Sequence, residues 1–243
     1  MAEPKGFFVF KGERMMAKTA ILVDGGFYRK KFEKGLPHTP GEAAETLVRY
    51  CFRHLDEHHM NHELYRIFYY DAPPCKKKIF HPLHNRTFDF SKSDYFKWME
   101  EFLKELTKKR KVALRLGSVD EGSAVYVLTS TATRDIVTGK RQLDSLSDAD
   151  FTSSIKQKGV DMKIGMDIAS LSYKKQVEQI VLIAGDADFV PAAKLARREG
   201  IDFVLDSLGA PIKEDLFEHI DGKRFCGNPY SAKTGKDNSP YKI

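Results

Sequence analysis

The residues best placed to do chemistry in this chain are aspartates. Asp24 closes the run Ile21-Leu22-Val23, and Asp186 closes Ile180-Val181-Leu182-Ile183-Ala184-Gly185. Asp188 follows two residues later, and Asp161 comes after Lys158-Gly159-Val160. A continuous apolar run that ends in a turn and a carboxylate reads as a strand buried on both faces of a parallel sheet. Such sheets bind ligands in the crevice beyond the carboxyl ends of their strands. Two further runs, Leu64 to Tyr70 and Ile201 to Leu205, also end on aspartates, Asp71 and Asp206. Carboxylates gathered along one edge repel one another and are costly to bury uncompensated. The natural compensator is a hard divalent cation, Mg²⁺ or Mn²⁺, held by carboxylate and water oxygens. Such a centre activates water and stabilises the charge of a phosphodiester under in-line attack.

Each acid also has a plainer role. Asp24 and Asp71 could begin turns, Asp188 could cap a helix, and Asp206 reads as structural. Asp161 is harder to dismiss. At 100° per residue it lies about 20° from Ile168 and about 60° from Ile164, at the edge of a core-facing helical stripe. Asp167 falls about 120° away by the same arithmetic, off that site.

The elements that must position these acids alternate between strand and helix. Thr39-Pro40-Gly41-Glu42 opens a helix with a capping pattern, and Ala44, Leu47, Val48, Cys51, Phe52 and Leu55 form its apolar face. Ser93 caps a second helix, whose stripe is Tyr95, Phe96, Met99, Phe102, Leu103 and Leu106. Val112 to Leu116 reads as a strand. Tyr126 to Thr129 and Asp135 to Lys140 read as a β-excursion with a Thr-Gly turn. Asp188 caps a helix containing Phe189, Ala192, Ala193 and Ala196, which Gly200 ends. A short helix covers Glu214 to Ile220. The pattern predicts an α/β fold with a mainly parallel sheet and right-handed crossovers. The expected organisation is a loose leader over 1–17, one domain over 18–225 with basic and β-rich insertions within 74–157, and a peripheral tail over 226–243.

The net charge is +6 with a pI near 9.0, and the excess is localised. Lys76 to Arg115 holds 12 Lys/Arg against 5 Asp/Glu, whereas the remainder holds 28 against 29. A localised basic block suits a phosphate backbone, although a solvated helix face has the same composition. Cys51, Cys75 and Cys226 are too few and too scattered for a disulfide framework or a zinc site. His54 and His58 are four apart but lack a third ligand at recognisable spacing. No apolar run has the length of a membrane span or a signal-peptide core, so the expected location is cytoplasmic with no membrane partner. No phosphate-binding loop is present.

Three blocks carry a family resemblance: Ile21-Leu22-Val23-Asp24-Gly25, Lys158-Gly159-Val160-Asp161 with Asp167, and Gly185-Asp186-Ala187-Asp188-Phe189-Val190-Pro191. Together they resemble the signature blocks of NYN domains, in the LabA-like branch of the PIN-like nuclease superfamily. The resemblance covers roughly Thr19 to Phe225, loosely over 74–157. It implies a three-layer α/β/α sandwich and metal-dependent RNA cleavage. It also implies that Asp24, Asp161 and Asp186 are the catalytic, Mg²⁺- or Mn²⁺-binding acids, with Asp188 in support. NYN members often carry Asn three residues after the first Asp, where this chain has Phe27.

The leading expectation is therefore a metal-dependent endoribonuclease acting on single-stranded or structured RNA, with DNA and self-association left open. Lys76, Lys77, Lys78 and Lys158 would hold phosphates, and Tyr70 or Phe80 would stack on bases. The alternative is a nuclease-like RNA-binding or regulatory module with weak or no chemistry. A haloacid-dehalogenase-type phosphatase fits poorly, because Gly26 occupies the place of its second aspartate.

Overall fold

The apolar runs form the sheet they predict. The computed structural model describes residues 17–32, 39–55 and 62–230. The chain runs β1 (Ala17–Asp24), α1 (Gly25–Phe32), α2 (Pro40–Arg53), β2 (His62–Asp71), β3 (Lys78–His81), β4 (Arg86–Asp89), α3 (Asp94–Thr107) and β5 (Val112–Leu116). It continues with β6 (Ser118–Val119), β7 (Val125–Leu128), α4 (Ser130–Val137), β8 (Phe151–Ser154), β9 (Gln157–Lys158) and α5 (Val160–Tyr173). The last part holds β10 (Gln179–Ile183), α6 (Val190–Arg198), β11 (Asp202–Asp206), α7 (Glu214–Phe217) and β12 (Gly222–Lys223).

Six strands make one sheet in the order β12-β11-β10-β1-β2-β5, every pair parallel. Strand side chains alternate between two cores, as period-two geometry requires. Ile21, Val23, Ile67, Tyr69, Val181 and Ile183 face α1, α2 and α3. Ala20, Leu22, Phe68, Ile180, Leu182 and Phe203 face α5, α6 and α7. The result is a three-layer α/β/α sandwich. No helix among the described residues is long and apolar enough to cross a membrane.

The sheet order decides where the site lies. From β1 the chain moves outward through β2 to β5, then crosses back to β10 and moves outward the other way. The connection leaving β1 covers one face of the sheet, and α6, which follows β10, covers the other. β1 and β10 therefore flank the topological switch point, where an open α/β sheet leaves a crevice.

Several expectations meet a different structure. Ser93 caps α3 through its hydroxyl, which accepts from Phe96 N at 3.1 Å. Thr39 makes no such side-chain cap on α2. Residues 135–140 are not a strand. Thr129 Oγ1 accepts from Ala132 N and starts α4, while β7 pairs instead with β8. Asp188 does not cap α6. It lies inside a short 3₁₀ turn, Ala187–Phe189, that Asp186 caps, and α6 starts after it with Pro191 in its first turn. Within 74–157, α3 and β5 belong to the sandwich, and the remaining elements form three two-stranded pairs and α4. Cys226 and Tyr230 pack against the core beneath α1 and α2. Residues 1–16 and 231–243, and His58 and His59, lie outside the described residues.

Candidate functional site

Asp24 sits at the carboxyl end of β1, level with Tyr70 of β2. The chain turns at once into α1, and Asp24 Oδ1 accepts from Phe27 N at 3.0 Å, which orients the carboxylate. The turn requires glycine at position 25. A Cβ there would lie 2.4 Å from the Tyr69 ring and 2.7 Å from Asp71 Oδ2. Asp186 follows β10, and its Oδ1 accepts from Asp188 N at 3.1 Å. Asp24 and Asp186 thus stand on opposite sides of the switch point. They line one open cleft of about 460 Å³, with Gly26, Phe27, Lys30, Gly185 and Lys213.

Asp161 occupies the first turn of α5. Partial burial raises its pKa, and the charges of Asp186 and Asp188 raise it further. Asp24 is pushed up to about 6, first by burial and then by the charges of Asp161 and Asp71, against the opposing hydrogen bond from Phe27 N. The four acids of the sequence motifs therefore share one electrostatic field. An all-carboxylate set suits a hard cation that keeps several of its waters, as Mg²⁺ does.

Residues 77–215 match the NYN domain, more than half of the chain. The chain belongs to the NYN domain family. The match contains Asp161, Asp186 and Asp188, whereas Asp24 precedes it. A crystal structure of a protein of unknown function, VPA0982 from Vibrio parahaemolyticus RIMD 2210633, is similar at 11% identity, over 88% of this chain and 95% of that one, with a TM-score of 0.46. No curated protein matches the sequence.

The NYN fold is one of the PIN-like nuclease superfamily, and its other strand-end acids in this chain are otherwise engaged. Asp71 is fully buried, and its Oδ2 accepts from Arg29 Nη2 at 2.7 Å and Tyr69 OH at 2.9 Å. Asp206, also fully buried, accepts from Tyr50 OH, from Leu208 N at 2.7 Å and faces His54 Nε2 at 3.1 Å. His54 is thereby a buried partner of Asp206. Asp167 accepts from Tyr70 OH at 2.8 Å and Arg115 Nε at 2.9 Å.

Lys76, Lys77, Lys78 and Lys158 do not line the cleft of Asp24 and Asp186, and neither do Asp161 and Asp188. Lys76 lines a second cleft with Pro73, Pro74, Glu100, Glu101 and Lys104, and its Nζ is 3.6 Å from Glu100. Lys77 Nζ donates to the carbonyls of Gly122 and Ala124 at 3.2 and 3.1 Å. Lys78 is exposed on β3, opposite Asp89. Lys158 pairs with Asp120 at 2.7 Å. Along α3 much of the positive excess is matched locally, Lys97 by Asp94, Lys104 by Glu101 and Lys108 by Glu105. Tyr70 is fully buried and offers no stacking face, whereas Phe80 is half exposed.

The cations at the acidic cleft are Lys30 and Lys213, which sequence reasoning missed. A signal existed for Lys30. It lies one helical turn after Phe27 on the helix that Asp24 initiates, so both share the face turned to the cleft. Lys213 carried no such signal, because only the packing of α7 against α6 and the Ala187–Phe189 turn brings it there.

Proposed function

We propose that this NYN domain is a metal-dependent endoribonuclease, with Asp24, Asp161 and Asp186 holding Mg²⁺ or Mn²⁺ and Asp188 supporting the centre. The observation that carries the reading is the cleft at the β1–β10 switch point. It holds Asp24 and Asp186 in one cleft, and burial, with the charges of Asp161 and Asp71, pushes Asp24 up to about 6. An acid so strained is matched by a cation of hard, oxygen-preferring type. When bound, the metal would lower the pKa of a coordinated water and offset charge building on the phosphoryl oxygens.

The chain's own residues do the rest. Phe27 N fixes the Asp24 carboxylate, and the Asp188 backbone fixes that of Asp186. Lys30 and Lys213, exposed at the mouth of the cleft, are placed to bind the phosphates flanking the scissile one. The ring of Phe27 forms an apolar wall beside Gly185, where a Cβ would lie 2.4 Å from its Cε2.

The second reading, an RNA-binding module with weak chemistry, rests on that same ring. Phe27 gives Asp24 only its backbone N–H, where an Asn would also offer a polar side chain. Incubation of the purified protein with end-labelled single-stranded RNA and DNA, in chelator, Mg²⁺ or Mn²⁺, separates the two. Internal cleavage of RNA that needs metal and falls by orders of magnitude in Asp186→Asn supports the enzyme. RNA retention without cleavage in either metal supports the module.

A further inference from the structure

His81 ends β3, and the turn that follows it to β4 carries Pro82-Leu83-His84. His81 is 5% exposed and sits in an aromatic box, its ring 4.2 Å from Tyr126, 5.0 Å from Phe151 and 5.7 Å from Phe88. Its Nδ1 is buried with no hydrogen-bond partner, the single such side-chain atom among the described residues. A buried polar atom left unpaired costs on the order of 1–3 kcal/mol and calls for an explanation. The His84 ring is 4.8 Å away, and His84 Nε2 is 2.6 Å from Asp148 Oδ1. Asp148 comes from a remote segment that is itself pinned. Ser147 N and Oγ both donate to Asp150 Oδ2, and Arg141 grips the Asp150 carboxylate with two contacts of 2.7 Å. His81, His84 and Asp148 each bring a ligand atom within 4.8 Å of the other two.

We propose that His81, His84 and Asp148 form a second metal site, for a borderline divalent transition ion of the Zn²⁺ class, separate from the carboxylate cleft. Two imidazoles and one carboxylate are a zinc-type donor set, with a water in the fourth position. Bonds of about 2.0–2.2 Å in a tetrahedron set ligand atoms roughly 3.3 Å apart. The widest approach needs to close by about 1.5 Å at most, while the His84–Asp148 pair, now in direct contact at 2.6 Å, opens by roughly 0.7 Å to admit the ion, and both are exposed side chains. Mg²⁺ and Mn²⁺ prefer all-oxygen sites and stand low in the affinity order for nitrogen donors, so the two sites sort their metals by chemistry. The ion would join the β3–β4 hairpin to the segment that leads into β8. The hairpin bears Lys78, Phe80 and Arg86, so the clamp would fix a basic and aromatic surface relative to the β7–β8 pair.

The test uses the whole chain, stripped with chelator and titrated with Zn²⁺ and, for its visible spectrum, Co²⁺. The expected result is one saturable equivalent, a tetrahedral-type Co²⁺ spectrum and a raised melting temperature. His84→Ala and Asp148→Asn are exposed substitutions that keep Tyr126, Phe151 and Phe88 around His81, and Asp148→Asn keeps the His84 ring as well. Each should lower Zn²⁺ affinity at least tenfold, while Asp186→Asn leaves it unchanged. No saturable binding overturns the proposal, as does binding that both variants retain at full strength. Binding lost in Asp186→Asn but kept in His84→Ala would put the ion in the carboxylate cleft and overturn it too.

Discussion

Asp24→Asn offers a sharp test of the cleft because its effect on stability has a sign that depends on pH. In the folded protein Asp24 titrates at about 6, against an ordinary 3.8. A carboxyl whose folded pKa is raised binds more protons in the folded than in the unfolded state between those values. Stability therefore falls as pH rises through that window. The shift of about two units corresponds to roughly 3 kcal/mol, fully felt above about pH 7 and absent below about pH 3. Asn keeps the shape and can still accept from Phe27 N, so the variant removes the charge and little else. In chelator near pH 7.5 it should be more stable than the parent by up to about 3 kcal/mol, on the order of 5–10 °C in melting temperature for a chain of this size. Near pH 4 the two should approach each other. Mg²⁺ or Mn²⁺ should raise the melting temperature of the parent and much less that of the variant. Urea denaturation followed by circular dichroism across this pH range reads all of it. If the Asn variant is less stable at every pH by the same amount, Asp24 is a structural hydrogen-bond acceptor and the cleft is not a site under charge strain.

Two further outcomes follow from the same geometry. Arg29→Ala leaves the fully buried Asp71 without its cation and should cost about 3–5 kcal/mol in urea melts; a loss under about 1 kcal/mol would show that Tyr69 and Ala72 alone satisfy that carboxylate. Charge reversal at Lys30 and Lys213 should flatten the salt dependence of RNA binding by about one counterion per lysine, and more than reversal at Lys77, whose ammonium is spent on two carbonyls; equal slopes in a filter-binding titration would remove the cleft lysines from the RNA path.

The strands and their direction were legible because a strand buried on both faces has to be apolar throughout, as Ile21 to Val23 and Ile180 to Ile183 are. Helix starts were legible where the cap is local, as at Ser93. Position 135–140 misled because Ile136, Val137 and Thr138 favour strands by type. The deciding contacts were the Thr129 cap and the pairing of β7 with β8, one local but overlooked and one remote. The basic block was legible as a sum of charge but not as a surface. Its carbonyl and carboxylate partners are set by folding, and they consume much of the charge that composition counts.

The four strand-end aspartates show where sequence reading stops. Asp24, Asp71, Asp186 and Asp206 carry the same local signature, an apolar run ending in a carboxylate. What separates them is which element passes overhead. α1 lays Arg29 across Asp71, and α2 lays Tyr50 and His54 across Asp206, so both acids are buried and satisfied. At Asp24 and Asp186 the covering helices leave on opposite faces, and an open cleft remains beyond β1 and β10, walled by Phe27 against Gly185. The pair proposed as functional is thus set apart by the change of direction in strand order. That order depends on contacts between residues about 160 positions apart, such as Ala20 with Ile180, and no local window of the sequence contains it.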